Sequence, residues 1–142
     1  MRICGVVIAG STACLAVVSP DQEGNPQYHP CATRKVSLDD EKSFQSLDAF
    51  AKAIAAFTHE NGVEAFCIKE RALTGAMAGG GVTFKIEALI QYCGGKPVYF
   101  VHRNTLNKFS KTNRAGLPAG LLGYLREPYL AGACQLEKLE LI

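Results

Sequence analysis

Two nearly continuous apolar runs, separated by the dipeptide Gly10-Ser11, constrain the fold of this chain more than any other feature of its sequence. Residues 2–9 read RICGVVIA and residues 12–19 read TACLAVVS. Runs of this kind are typical of strands in the centre of a sheet, where both faces are covered. Because a two-residue turn joins them, they predict a β-hairpin. The chain has 142 residues, about the length of one domain, so residues 1–142 are predicted to form a single domain.

The rest of the chain reads as one more strand followed by alternating helices and strands. The predicted elements are a loop at 20–30, a strand at 31–38, a helix from Phe44 to Phe57, a strand at 63–69, a helix from Val82 to Cys93, a strand at 97–101, a short helix at 102–109 and a last helix from about 128 to 139. Helix-linked strands pair in parallel through right-handed crossovers. The order β-β-β-α-β-α-β-α therefore predicts an α/β fold with a mixed five-stranded sheet of order 3-2-1-4-5 and helices on both faces. This is the arrangement of the ribonuclease H-like fold.

The charge of the chain is small in total but uneven along its length. The formal net charge is +2. No acidic residue occurs between Glu87 and Glu127, whereas the basic residues in this stretch are Lys96, Arg103, Lys108, Lys111, Arg114 and Arg126. A positive field of this kind suits a polyanion such as nucleic acid. The alternative is a solvated basic surface that binds nothing.

Neither the hydropathy nor the cysteine pattern points to export or to a metal site. No apolar run reaches the roughly 18–20 residues that span a bilayer, and the first strand lacks the features of a signal peptide. The chain is therefore predicted to be cytoplasmic, without a membrane partner. Its six cysteines are scattered singly, with no C-x-x-C pair. They are predicted to be reduced and buried rather than metal-bound.

Charged residues collect where the predicted fourth and fifth strands end. The fourth strand ends in Lys69, Glu70 and Arg71, and His102 and Arg103 follow the fifth strand. Because the carboxyl ends of adjacent parallel strands meet at one edge of a sheet, these residues are expected to lie close together. Glu70 and His102 are therefore candidate catalytic residues for general acid–base chemistry.

The same edge is also a candidate anion site. Three glycines precede the second helix, where backbone N–H groups and the helix N-terminus favour a phosphate. The candidate anion-binding residues are Lys69, Arg71, Gly79, Gly80, Gly81, Lys85, Arg103 and Lys108. The segment 102–114 adds amide side chains and one aromatic residue, Phe109, which suits phosphate contacts with one base-stacking platform.

A purely structural alternative places the same charges in ion pairs. Lys69 or Arg71 would pair with Glu87, and Lys85 would pair with Glu70. In this case the charges satisfy one another and have no chemical task.

Two stretches of the chain resemble known families. Residues 68–91, IKERALTGAMAGGGVTFKIEALIQ, resemble the signature of a small bacterial family, domain of unknown function 3010. The opening RICGVVIAGST resembles that of Holliday-junction resolvases of the RuvC type and of actin-like ATPases. In those proteins an apolar strand reaches an Asp and then a Gly-Ser/Thr turn. The resemblance implies the ribonuclease H-like fold.

The resolvase resemblance also implies a nuclease that holds two Mg²⁺ ions on clustered carboxylates, with an Asp on the first strand and an acid on the fourth. Glu70 matches the fourth-strand acid by position. The first strand instead offers VVIA at residues 6–9, and the last helix, REPYLAGAC, has only Glu127 near the acidic positions of the resolvases. Glu87 is the other carboxylate that could face this cleft. The sequence therefore predicts that two-metal chemistry is absent and that no cofactor is bound.

Three functions are compatible with the sequence. The favoured one is a degenerate ribonuclease H-like domain that binds nucleic acid or another phosphate-containing ligand, because both metals of a nuclease depend on the missing Asp. The alternative is a metal-dependent nuclease or phosphohydrolase that uses Glu70 with a reduced carboxylate set, and only there is Mg²⁺ a cofactor. The third is a homo-oligomeric module in which an edge strand pairs with a second copy.

Overall fold

The computed structural model describes residues 1–71 and 80–142. The strands are β1 (Ile3–Ala9), β2 (Thr12–Pro20), β3 (Pro26–His29), β4 (Lys35–Ser37), β5 (Ala65–Lys69) and β6 (Val98–Val101), and the helices are α1 (Phe44–Glu60), α2 (Gly81–Cys93), α3 (Arg103–Phe109) and α4 (Arg126–Lys138). Two short 3₁₀ segments, Asn113–Ala115 and Gly123–Leu125, lie between α3 and α4. No helix in the described ranges combines the length and the apolar character needed to cross a membrane.

The six strands belong to one mixed sheet with β1 near its centre. β1 pairs antiparallel with β2 and parallel with β5, and β5 pairs parallel with β6. β3 and β4 both pair antiparallel with the outer edge of β2. The order β3-β2-β1-β5-β6 confirms the predicted α/β sheet, in which the predicted strands four and five are β5 and β6.

The predicted single strand at residues 31–38 is wrong in its bounds, and the described residues form a sheet of six strands rather than five. Only the later part of that range forms a strand, β4, whereas β3 lies inside the predicted loop. The cause is a turn built by Asp21, whose Oδ1 accepts hydrogen bonds from the N–H groups of Glu23 and Asn25 at 2.8 and 2.9 Å. This local turn reverses the chain directly after β2, so the outer edge of β2 is covered by two short strands.

Helices cover both faces of the sheet, as predicted. On one face, Phe50 and Ile54 of α1 and Ile86 of α2 belong to a core shared with β2 and β5. On the other face, Leu106 of α3 and Leu130 of α4 belong to a core shared with β1 and β6. Successive side chains of a strand point to opposite faces. A residue's place in its strand therefore decides which pair of helices it meets.

Local signals set the ends of α1. At the start, Oγ of Ser43 accepts a hydrogen bond from the N–H of Ser46 at 3.4 Å, as expected of an N-cap serine. At the end, the chain leaves the helix through Gly62, which has a φ of 60°. This left-handed conformation favours glycine, and it turns the chain into β5 after only a short connection.

Helix α4 packs on β1 at a point where the helix and the strand each have a glycine. A Cβ atom at Gly5 would lie 1.7 Å from the carbonyl oxygen of Pro128 and 2.8 Å from the backbone nitrogen of Gly132. A Cβ atom at Gly132 would lie 3.1 Å from Cγ2 of Val18. The backbone of α4 is therefore in direct contact with β1, and glycine at position 5 is what permits this approach.

All six cysteines are free thiols, and five of them are buried, which confirms the predicted reduced state. Cys93 is the half-buried exception. Burial raises the pKa of the Cys67 thiol to about 12. A thiol with such a pKa stays protonated near neutral pH, so Cys67 acts as a small apolar side chain of the core.

Candidate functional site

The carboxyl ends of β1, β5 and β6 meet at one edge of the sheet, close to the start of α3 and α4. β1 and β5 are in parallel register up to Val6 and Ile68. Ile68 packs on the face covered by α1 and α2, so alternation directs Lys69 to the face of α4 and Glu70 to the face of α2. We call this edge, with residues 69–71 and the first turns of α2, α3 and α4, the strand-end site.

Lys69 and Glu127 join the end of β5 to α4. Nζ of Lys69 donates a hydrogen bond to Oε2 of Glu127 at 2.6 Å. The two side chains are 21% and 40% exposed, so solvent reaches the pair without surrounding it. Glu127 lies in the first turn of α4, where the helix dipole favours a carboxylate. The pair therefore holds the N-terminus of α4 at the strand end.

Glu70 follows β5 with an exposed side chain. Its backbone N–H donates to the carbonyl oxygen of Val101 at 2.9 Å, which places residue 70 beside the end of β6. Within residues 1–71 and 80–142, the Glu70 carboxylate takes part in no ion pair. The carboxylate therefore faces solvent at the mouth of the sheet.

The predicted ion pair of Lys85 with Glu70 is wrong. Nζ of Lys85 instead donates to the carbonyl oxygen of Glu41 at 2.9 Å and lies 3.8 Å from Oε2 of the same residue. Since α2 packs beside α1, the segment before α1 lies within reach of this long side chain. Lys85 thus contacts that segment and not the strand end.

Arg71 and Glu87 form one of the predicted ion pairs. Nε of Arg71 lies 3.3 Å from Oε2 of Glu87, with side chains 20% and 11% exposed. The geometry does not make a hydrogen bond, and in the described parts of the chain neither of these buried atoms has a hydrogen-bond partner. Burial raises the pKa of Glu87 above its ordinary value, the Arg71 guanidinium lowers it, and nearby Glu70 raises it. The guanidinium also lies 4.8 Å from the centre of the Phe84 ring, a cation–π contact.

His102 caps α3. Its Nδ1 accepts a hydrogen bond from the N–H of Asn104 at 3.0 Å, and its side chain is exposed. Among the hydrogen bonds of the described residues, none joins His102 to Glu70. The two candidate catalytic residues share one edge of the sheet, and their catalytic roles stay predictions.

Helix α3 presents Arg103 and Lys108 to solvent. The predicted base-stacking role of Phe109 is wrong, because Phe109 is only 4% exposed. It packs with Leu106 in the core between α3, α4 and the sheet. The helix therefore offers charges and amides at its surface, but its aromatic ring is a core residue.

The glycine run is only partly described. Gly79 lies outside the described residues. Gly80 precedes α2 without a side-chain cap, and Gly81 is the first residue of the helix. Of the predicted cations near this helix start, Lys69, Arg71 and Lys85 each have a carboxylate within ion-pair distance. Anion binding at this end of α2 stays a prediction, and the three neighbouring cations are already paired.

The side chains at the strand-end site do not fit the two Mg²⁺ ions that this kind of fold implies. Within the ranges 1–71 and 80–142, no group of three or more His, Cys, Asp or Glu side chains could hold a metal. On the face covered by α4, β1 offers Val7 and β5 offers Lys69, so Glu127 is the carboxylate there. Mg²⁺ keeps several of its waters and is usually held by one or two carboxylates together with substrate phosphates. A single carboxylate that is already bound to an ammonium group does not supply this for two ions.

The fold is ribonuclease H-like, and the solved structures that resemble it include resolvases. Thermus thermophilus RuvC matches with a TM-score of 0.76 and 11% identity, over 99% of this chain and 97% of that chain. T. thermophilus RuvC in complex with Holliday junction substrate gives 0.70 and 11%, over 98% and 96%. Fowlpox virus resolvase in a complex with Holliday junction DNA gives 0.57 and 12%, over 98% and 99%. At these identities the likeness establishes the fold alone.

Residues 1–134 match the model of the family described as "Protein of unknown function (DUF3010)", and the chain belongs to that family. Among curated proteins, no sequence matches the chain. The family and the fold that the sequence indicated are both confirmed.

The contact between Lys69 and Glu127 was missed by sequence reasoning, although its signal is present. In the run AFCIK, Phe66 and Ile68 share one face with the first helices. Lys69 must then point to the opposite face, which is the face covered by the last helix. Applying this alternation to residue 69 would have indicated a partner on α4.

Proposed function

We propose that this chain is a ribonuclease H-like domain that binds nucleic acid, or another polyanion, through α3 and the connection that follows it, and that it does not cleave by a two-metal mechanism. The proposal depends on one observation. The segment from residue 103 to residue 126, here called the basic segment, exposes all of its basic side chains, which are Arg103, Lys108, Lys111, Arg114 and Arg126.

The basic segment differs from the rest of the strand-end site in its charge balance. It contains no acidic residue. Of its five cations, Arg114 is the one with a carboxylate in ion-pair range among the described residues, at 3.9 Å from Glu137. Exposed cations without neighbouring carboxylates can neutralise phosphates and release their counterions. This supports binding through the phosphate backbone, with little readout of base sequence.

The structural neighbours support the class of partner. One of them is a RuvC bound to Holliday junction substrate, and another is a resolvase bound to Holliday junction DNA. We extend this partner class to the chain as a proposal, and branched DNA is therefore the first ligand to test.

The test is fluorescence anisotropy with a labelled Holliday junction, a duplex and a single strand across a series of salt concentrations. We expect affinity to fall steeply with salt. Replacing both Lys108 and Lys111 by Gln is expected to reduce the slope of log affinity against log salt by about 0.9 for each lost contact on duplex DNA. Lys96→Gln is the matched control, because Lys96 is also exposed but precedes β6, at the opposite end of that strand from α3.

No binding to any of the three DNAs at low salt would refute DNA as the ligand of the basic segment. A loss of affinity per removed charge that is the same in Lys96→Gln and in the double variant would also refute the assignment to the basic segment, because the effect would then follow net charge alone.

A second candidate function is favoured by the exposure of Glu70. We propose as the alternative a metal-dependent nuclease or phosphohydrolase in which this carboxylate takes part. Turnover of a Holliday junction or a nucleotide with Mg²⁺ or Mn²⁺ would then be lost in Glu70→Gln and kept in Glu64→Gln. Glu64 is the matched control because it is an exposed carboxylate just before the other end of β5. Turnover that survives in Glu70→Gln would remove this candidate.

A further inference from the structure

Three elements meet at one corner of the strand-end site, on the face of the sheet that α4 covers. β1 and β5 are in parallel register up to Val6 and Ile68, so Val7 and Lys69, one residue further, both face α4. Gly5 lets the backbone of α4 approach to direct contact. Glu127, in the first turn of α4, then reaches Lys69 at 2.6 Å. The ends of β1 and β5 and the N-terminus of α4 therefore all lie close to the ammonium group of Lys69.

We infer that the ammonium group of Lys69 is the resident cation of this corner and takes the place of a divalent metal ion. An ammonium group carries its charge on a covalent stem and donates up to three hydrogen bonds, so it neutralises Glu127 without any ligand from outside. Two like charges about 4 Å apart repel each other near a protein surface, and the repulsion is twice as large when one of them is divalent. A metal ion bound to Glu127 would lie about that close to Nζ of Lys69, so the two cations compete for one carboxylate.

The backbone of this corner could carry a carboxylate site, and the side chains at positions 7 and 69 decide which cation the corner holds. Val7 supplies no ligand and Lys69 supplies the charge itself. Lys69→Glu would place a second carboxylate beside Glu127, and Val7→Asp would add a third. The inference does not depend on the proposed function, because it concerns the cation of this corner and not the ligand of the basic segment.

The experiment is a Mn²⁺ titration followed by electron paramagnetic resonance of the free ion, with DNA absent. We expect the wild type to take up no Mn²⁺ at this corner. Lys69→Glu is expected to bind one Mn²⁺ weakly, with a Kd of about 10⁻⁴–10⁻³ M, the range of weak Ca²⁺ sites with oxygen ligands. Val7→Asp added to Lys69→Glu is expected to tighten binding by about tenfold or more, and Glu127→Gln added to Lys69→Glu is expected to abolish it.

Lys85→Glu is the matched control. It also replaces a paired lysine by a carboxylate next to a glutamate, Glu41, but on a more exposed pair with side chains 44% and 36% exposed. We expect no comparable Mn²⁺ uptake there, because the three-element framework is missing. Uptake by Lys85→Glu equal to that by Lys69→Glu would overturn the inference, since any pair of surface carboxylates would then suffice.

A folded Lys69→Glu variant that binds no Mn²⁺ would overturn the inference as well. If that variant does not fold, the wild type decides the question by itself. Paramagnetic broadening by Mn²⁺ of the backbone amide signals of Val7, Lys69 and Glu127 that is lost in Glu127→Gln and kept in Glu70→Gln would show that a metal enters beside the lysine and would refute the inference. Unchanged signals at these three positions would support it.

Discussion

Replacing Gly5 by alanine is expected to weaken the contact between α4 and the sheet more than the same replacement at any other described glycine. The new Cβ atom would lie 1.7 Å from the carbonyl oxygen of Pro128. Non-bonded heavy atoms pack at about 3.5 Å, so the two backbones would have to separate by about 1.8 Å. No rotamer change relieves this clash, because Cβ and the carbonyl oxygen are both fixed to backbone. The expected cost is at or above the upper end of ordinary overpacking, about 3 kcal/mol or more.

The measurement is the free energy of unfolding in urea for a graded series of variants. Gly132→Ala is expected to cost about 1 kcal/mol, because its Cβ would meet Cγ2 of Val18 at 3.1 Å and a side chain can shift. Gly123→Ala is the control, since no atom lies within 4 Å of its added Cβ, and it is expected to change stability by less than about 1 kcal/mol. A Gly5→Ala cost below that of Gly132→Ala would show that α4 does not rest on β1 as described.

Three further changes test other contacts. Ser43→Ala removes the oxygen that caps α1 and is expected to lower the free energy of unfolding by about 0.5–1 kcal/mol in urea; an unchanged value would show that this contact does not cap the helix. Arg71→Met leaves the Glu87 carboxylate buried without its cation. Because burial already raises the pKa of Glu87, stability is lost as pH rises through that pKa, so the cost should be about 1–3 kcal/mol at pH 8 and smaller at pH 5. Equal costs at the two pH values would contradict this reasoning. The pKa of Cys67, about 12 in the folded chain, exceeds the value of about 8.5 expected when unfolded, so stability should fall as pH rises above about 8.5. Cys67→Ala should remove up to about 1.4 kcal/mol of that fall per pH unit, and identical pH profiles of the two proteins would refute it.

The order of the elements could be predicted because each signal for it is strong and local. The hairpin of β1 and β2 follows from two apolar runs with a two-residue turn, and α1 ends where Gly62 supplies a left-handed residue. The outer edge of the sheet could not be predicted in the same way. There the side chain of Asp21 accepts hydrogen bonds from nearby backbone N–H groups. The polar residues 26–29, which the sequence predicts to lie in a loop, form β3.

The sequence predicts where the charged residues of the candidate site lie better than it predicts which of them are in contact. The strand ends follow from the sheet order, and Arg71 and Glu87 do pair. The partner of a long side chain depends on the face of the element from which it projects and on how far it extends. For this reason Lys85 contacts Glu41 and not Glu70. Phe109 was taken as a surface ring, although its three-residue spacing from Leu106 gives a short helix one apolar face.

The outer edge of β2 has a consequence for how copies of the chain could associate. β2 is a nine-residue strand, the kind of long edge that invites pairing with another chain. Its outer side is instead occupied by strands of four and three residues, and the opposite edge of the sheet is the four-residue β6. A second copy could therefore add to either edge through only about one short strand of hydrogen bonds. The sheet is long at its centre and short at its margins, which favours contacts made by its helices and loops over growth by strand addition.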